Sequence, residues 1–172
     1  MTTYIVLLRG VNVGGNNLLP MKPFVALLEQ AGYQNVSSYI QSGNIVLSSD
    51  VNPTDSINDI ILKHYGFSPE LFVLSEEAFN IALKNNPFHE HEGKCVHFYF
   101  CTDNISLYME KLTKFIDPSE KYQVIENIFY LSAPNGIGRS KLVSNIATCL
   151  GQSGTGRNLN TIKKISTMLI NS

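Results

Sequence analysis

Apolar residues arrive along this chain in short runs and helical stripes, and the order of those patterns partly repeats. Tyr4-Ile5-Val6-Leu7-Leu8 is a continuous apolar run of the kind a buried strand requires. Pro20 opens a helix in which Met21, Phe24, Leu27, Leu28 and Ala31 recur at helical spacing, with Gly32 as its C-cap. Residues 36–40 and 45–47 read as strands joined by the turn Gln41-Ser42-Gly43-Asn44, which makes a hairpin. Pro53-Thr54-Asp55 begins a second helix, with Ile57, Ile60, Ile61 and Tyr65 on one face and Gly66 at its end. Residues 71–74 are a fourth strand. The order is β-α-β-β-α-β, the ferredoxin-like split βαβ.

The second half follows the same plan less completely. Ser75 suits the cap of a connecting helix, Glu76 and Glu77 suit its first turn, and Asn86-Pro87-Phe88 ends it. Residues 96–101 read as a strand and 104–115 as a helix. Residues 121–125 and 128–132 form a hairpin around Glu126-Asn127. One helix is expected over 139–150, with Leu142, Val143, Ile146, Ala147 and Leu150 on one face and Gly151 after it. No closing strand shows; Gly154-Thr155-Gly156 leads to a last helix with Leu159, Ile162, Ile165 and Leu169 apolar. The expected fold is α+β: two similar ferredoxin-like subdomains with antiparallel sheets, plus a C-terminal helix. The first spans 1–75, a linker helix and loop 76–94, and the second 95–172.

This topology gives one stretch a neighbour. Arg9-Gly10-Val11-Asn12-Val13-Gly14-Gly15-Asn16 follows the first strand. A glycine-rich turn there can aim backbone N–H groups at one point beside the charge of Arg9, which is the physics of an anion site and also of an ordinary tight turn. A right-handed crossover places the third strand between the first and second, so residues 9–16 and 41–44 fall at one end of the sheet. Arg9, Asn12, Gly14, Gly15, Asn16, Gln41, Ser42 and Asn44 then form a polar rim. Glycine permits close ligand approach, Asn and Gln read donors and acceptors, and Arg clamps a carboxylate or phosphate. The glycines match neither G-x-x-x-x-G-K-[ST] nor G-x-G-x-x-G. The competing reading is loop chemistry, with Asn and Gly in left-handed positions and Arg9 paired to a carboxylate.

Charge adds two more places. The net charge of −1 hides an asymmetry. Residues 1–50 sum to zero and 51–133 carry twelve acids against six bases. Residues 134–172 carry Arg139, Lys141, Arg157, Lys163 and Lys164 with no acid. An acid-free basic segment attracts anions, or balances the acidic middle. Within it, Gly136-Ile137-Gly138-Arg139-Ser140-Lys141 puts two cations at a helix start, where they oppose the macrodipole unless an anion or solvent meets them. In Thr155-Gly156-Arg157-Asn158, Asn158 suits an N-cap, whereas Arg157 has no evident structural purpose and suits an anion.

Other chemistry is thinner. His89-Glu90-His91-Glu92 with Cys95 and His97 offers zinc-type ligands at a spacing that matches no zinc pattern, so a solvated loop is the reading and no metal is expected. Phe98 and Phe100 read as core rather than as a base-stacking platform. Cys95, Cys101 and Cys149 form no C-x-x-C pair and read as free, mostly buried thiols. The chain has no apolar run long enough to span a membrane and no signal-like start, so a cytoplasmic protein is expected.

Leu7-Leu8-Arg9-Gly10-Val11-Asn12-Val13-Gly14-Gly15, Pro20-Met21, Tyr39-Ile40-Gln41-Ser42-Gly43-Asn44, Asn86-Pro87-Phe88, Arg139-Ser140-Lys141-Leu142 and Thr155-Gly156-Arg157-Asn158 occur in order. Together they resemble the bacterial family known as domain of unknown function 1697. The resemblance implies two related α/β subdomains and brings no established activity. An aromatic residue that members commonly carry shortly after the Arg-Asn pair is Leu159 here. The leading expectation is a small anionic ligand, a nucleotide or phosphorylated metabolite. It is met by Arg9, Arg139, Lys141 and Arg157 and oriented by Asn12, Gln41, Ser42, Asn44 and Asn158. The alternatives are a nucleic-acid-binding module using the basic C-terminal segment, and a non-catalytic structural or interaction domain. The cofactor is unknown.

Overall fold

Strand β1 (Thr2–Leu8) is buried on both faces from Ile5 onward, which is why its apolar residues run together instead of alternating. In the computed structural model, which describes residues 1–171, it is an interior strand of a four-stranded antiparallel sheet. Helix α1 (Met21–Gln30), strands β2 (Gln34–Tyr39) and β3 (Asn44–Ser49), helix α2 (Thr54–Tyr65) and strand β4 (Leu71–Ser75) follow. The sheet order is β2-β3-β1-β4, the ferredoxin-like arrangement. Val6, Leu8, Ile45 and Leu47 pack one face of the sheet against Phe24 and Leu28 of α1 and Ile57 and Ile61 of α2. Gly66 ends α2 in the left-handed conformation at φ 80°, with its N–H bonded to the Leu62 carbonyl.

Helix α3 (Glu76–Lys84) is capped by Ser75, whose hydroxyl accepts the Ala78 N–H at 3.1 Å. Strand β5 (Val96–Cys101), helix α4 (Met109–Phe115), strands β6 (Lys121–Ile125) and β7 (Ile128–Ser132), helices α5 (Lys141–Ser144) and α6 (Ile146–Leu150) and strand β8 (Gly154–Asn158) come next. Their sheet runs β6-β7-β5-β8, also wholly antiparallel, so the first topology is repeated. Its core gathers Tyr99, Phe129, Leu131, Leu112, Leu142, Cys149 and Leu150. Helix α7 (Leu159–Ile170) closes the described chain. The chain divides into two units: residues 1–81 with the segment from Lys164 onward, and Ala82–Lys163. Among the described residues no helix is long and apolar enough to cross a membrane.

Three local expectations are corrected. The missing closing strand exists: residues 154–158 are β8, paired to β5 from His97↔Asn158 to Cys101↔Gly154. It carries no apolar signature because its neighbour leaves no room for one. A Cβ on Gly156 would lie 2.7 Å from Cε1 of Tyr99, and one on Gly154 would lie 3.0 Å from the Phe100 carbonyl oxygen. The single helix over 139–150 is instead α5 and α6, broken at Asn145 (φ −120°, ψ 22°). There the Asn145 side chain donates to the Lys141 carbonyl at 2.8 Å, offering the backbone an alternative to a continued helix. The helix expected over 104–115 is confined to Met109–Phe115. Upstream, the Ile105 and Tyr108 N–H groups bond the carbonyls of Glu126 and Cys149.

Candidate functional site

In the first unit, the loop after β1 and the β2–β3 turn meet as the topology requires. Asn12 holds them together. Its Nδ2 donates to the carbonyls of Leu19 (2.8 Å) and Gln41 (2.6 Å), and its Oδ1 accepts the Leu19 N–H at 2.7 Å. It does so at φ 56°, a conformation Asn tolerates better than other non-glycine residues. Gly43 closes the joint: at φ 94° its carbonyl accepts the Leu8 N–H, and a Cβ would sit 2.9 Å from Leu8 and Val11. Asn44 is wholly buried and donates to the Tyr39 carbonyl at 3.0 Å and to the Ser42 hydroxyl at 3.5 Å. Arg9 lies half-exposed and 3.5 Å from Glu70, a long ion pair in solvent. Gly14, Gly15, Asn16, Gln41 and Ser42 are exposed at the tip. The rim exists as a spatial unit, and Asn12 and Asn44 use their side chains to build it.

In the second unit, Arg139 and Lys141 border a cavity of about 400 Å³. Two segments form it: residues 114–120, which leave the end of α4, and residues 135–141, which enter α5. Ser140 joins them. Its hydroxyl accepts the Val143 N–H at 3.2 Å as the cap of α5 and donates to Glu120 at 2.6 Å. The other Glu120 carboxylate oxygen accepts the Asp117 N–H at 2.8 Å. Asp117 in turn accepts from the Ser119 hydroxyl and from its N–H, and these bonds hold its pKa below the ordinary carboxylate value. Lys114 contributes a third cation to the lining. Sequence reasoning missed Lys114, Asp117 and Glu120. The string Asp117-Pro118-Ser119 announces a turn, but only the tertiary fold lays that turn beside residues 135–141.

Arg157 and Asn158 lie on β8 and do not line this cavity. Arg157 is 8% exposed and donates to the Thr155 hydroxyl at 2.7 Å and to the Gly156 carbonyl at 2.9 Å. Burial lowers its pKa to about 10, which leaves it charged at neutral pH. Asn158 accepts the Thr161 N–H at 2.9 Å and caps α7. Opposite it on β5, His97 is 6% exposed with Nε2 unpartnered. Burial lowers its pKa, opposed by a hydrogen bond to the Lys94 backbone. His91 bonds the Ser132 hydroxyl at 2.7 Å through Nδ1, while His89 is exposed. Among the described residues no three His, Cys, Asp or Glu side chains gather as a metal site. The three cysteines are buried and form no disulfide.

No curated protein matches the sequence. A solved structure, that of a conserved bacterial protein from Streptococcus pneumoniae, is similar at 25% identity, with 98% of each chain covered and a TM-score of 0.69. That likeness extends over both units. A family match covers residues 1–130, which hold the rim motifs, Asn86-Pro87-Phe88 and the 114–120 turn but stop short of Arg139–Lys141 and β8. On that match, which takes in most of the sequence, the chain belongs to the family described as Protein of unknown function (DUF1697).

Proposed function

We propose that this protein binds a small anionic ligand, a nucleotide or a phosphorylated metabolite, in the cavity of the second unit. One observation carries the reading. Lys114, Arg139 and Lys141 line a single space of about 400 Å³, within the range of small-molecule sites, and none of the three forms an ion pair among the described residues. Asp117 and Glu120 share the lining but neither pairs with a cation among the described residues, so all three cations keep their charge available to a phosphate or carboxylate. The first unit's rim, with Arg9, Gly14, Gly15, Asn16, Gln41 and Ser42 exposed, is a second place for an anion. Three buried cysteines in no disulfide suit a reducing compartment, and the cytoplasm is the place we assign.

A thermal-shift screen of nucleotides and phosphosugars tests this. A ligand that binds the folded protein alone stabilises it by about 2.7 kcal/mol at a hundred times its Kd. The expected outcome is a raised melting temperature in the wild type and in Arg9→Ala, lost in Arg139→Ala/Lys141→Ala. If no compound raises the melting temperature, or the double variant responds like the wild type, the cavity is not the site.

A further inference from the structure

The same cavity holds positive and negative groups that do not neutralise each other. Lys114, Arg139 and Lys141 contribute three cations to the lining, and Asp117 and Glu120 two carboxylates. Among the described residues no nitrogen of those cations comes within 4.0 Å of either carboxylate. Asp117 is exposed and turned to Ser119. Glu120 is different. It is 8% exposed, and its two recorded partners, the Ser140 hydroxyl and the Asp117 N–H, are both neutral donors. A carboxylate has about four acceptor positions, so about half remain open. Glu120 therefore offers its open positions to a donor that enters the cavity it lines. Its influence reaches Tyr99, whose pKa is pushed up to about 12 by burial first and by Glu120 second.

Resting on the anion-binding reading above, we infer that the cavity takes a zwitterion: a phosphorylated amine whose phosphate meets Arg139 and Lys141 and whose ammonium group meets Glu120. The polarity of the ligand is opposite to that of the lining at both ends. An ammonium group supplies three donors and a full charge to the open positions of Glu120, and charge-assisted hydrogen bonds are roughly twice as strong as neutral ones. A hard divalent cation fits less well, because it takes six or more oxygens and Asp117 is already engaged by Ser119. Ser140 has a defined part here. By capping α5 and bonding Glu120 through one hydroxyl, it ties the negative pole to the segment that carries the two cations flanking it in sequence.

Isothermal titration with phosphoethanolamine and n-propyl phosphate separates this inference from the reading it rests on. The two probes match in length and differ at the ammonium group. The wild type should bind phosphoethanolamine about tenfold or more tightly than n-propyl phosphate. Glu120→Gln should bind n-propyl phosphate at least as tightly as the wild type and lose the preference for the amine. Arg139→Ala/Lys141→Ala should lose both ligands. Equal binding of the two probes by the wild type overturns the zwitterion and leaves the anion site standing, and that comparison needs no variant to fold. An amine preference that survives in Glu120→Gln also overturns it, by moving the ammonium group elsewhere. Failure of both probes to bind removes the inference together with the anion reading.

Discussion

Arg9 and Asn12 lie three residues apart in one loop and do opposite things. Asn12 makes three short side-chain bonds that tie the loop to Leu19 and to the β2–β3 turn. At about 0.5–1.5 kcal/mol net for each, it is a principal clamp of this end of the unit. Arg9 has one long, solvated ion pair, of a kind that contributes about 0–1 kcal/mol. Residue type alone made both of them ligand candidates; partners separate them. His97 carries a testable consequence at this scale. Burial holds its pKa below the ordinary 6.5, so between the lowered value and 6.5 the unfolded chain binds more protons than the folded one. Its contribution is therefore intact above about pH 6.5 and declines as pH falls below that. Denaturant midpoints measured from pH 7.5 to 5 should fall for the wild type and fall less for His97→Gln. The same slope in both proteins would mean that His97 titrates alike in the folded and unfolded states.

Elements were legible where their signal is apolar periodicity. β1, β3, α1 and α2 emerge from runs and stripes because each has a face, or two, against a core. β8 was not legible because what makes it a strand lies in its neighbour. Glycine at 156 makes room for the Tyr99 ring, and backbone pairing with β5 does the rest. Gly156→Ala should therefore lower stability by about 1–3 kcal/mol, the cost of overpacking. Gly138→Ala, where an added Cβ meets nothing within 4 Å, should stay within about 0.5 kcal/mol. Urea midpoints for the two variants check this; equal midpoints would mean that the Tyr99 ring yields freely. The break at Asn145 follows the same logic, since its amide bonds a carbonyl four residues back and ends a stripe that reads as continuous.

At the scale of the molecule, the chain returns to where it began: from Lys164 onward its last helix belongs to the unit formed by residues 1–81. Ile165 and Leu169 are buried, each worth about 1.5–3 kcal/mol. Truncation after Lys163 should lower the melting temperature by more than about 5 °C. An unchanged melting temperature would show that this segment adds nothing to the fold. The charge asymmetry also changes meaning at this scale, because the basic segment is not one surface: Arg139 and Lys141 are exposed beside a cavity, while Arg157 is buried in β8. By itself the sequence determined the first split βαβ, most of the second, and the meeting of residues 9–16 with 41–44. Those depend on periodicity, backbone conformational preference and the handedness of crossovers, all of which are written locally. Only the tertiary structure decided which polar residues spend their hydrogen bonds inside the protein. It alone set the 114–120 turn beside Arg139 and Lys141, enclosing a cavity with Glu120 at its wall. Partnership and enclosure are relations between distant segments, and no single stretch of sequence carries them.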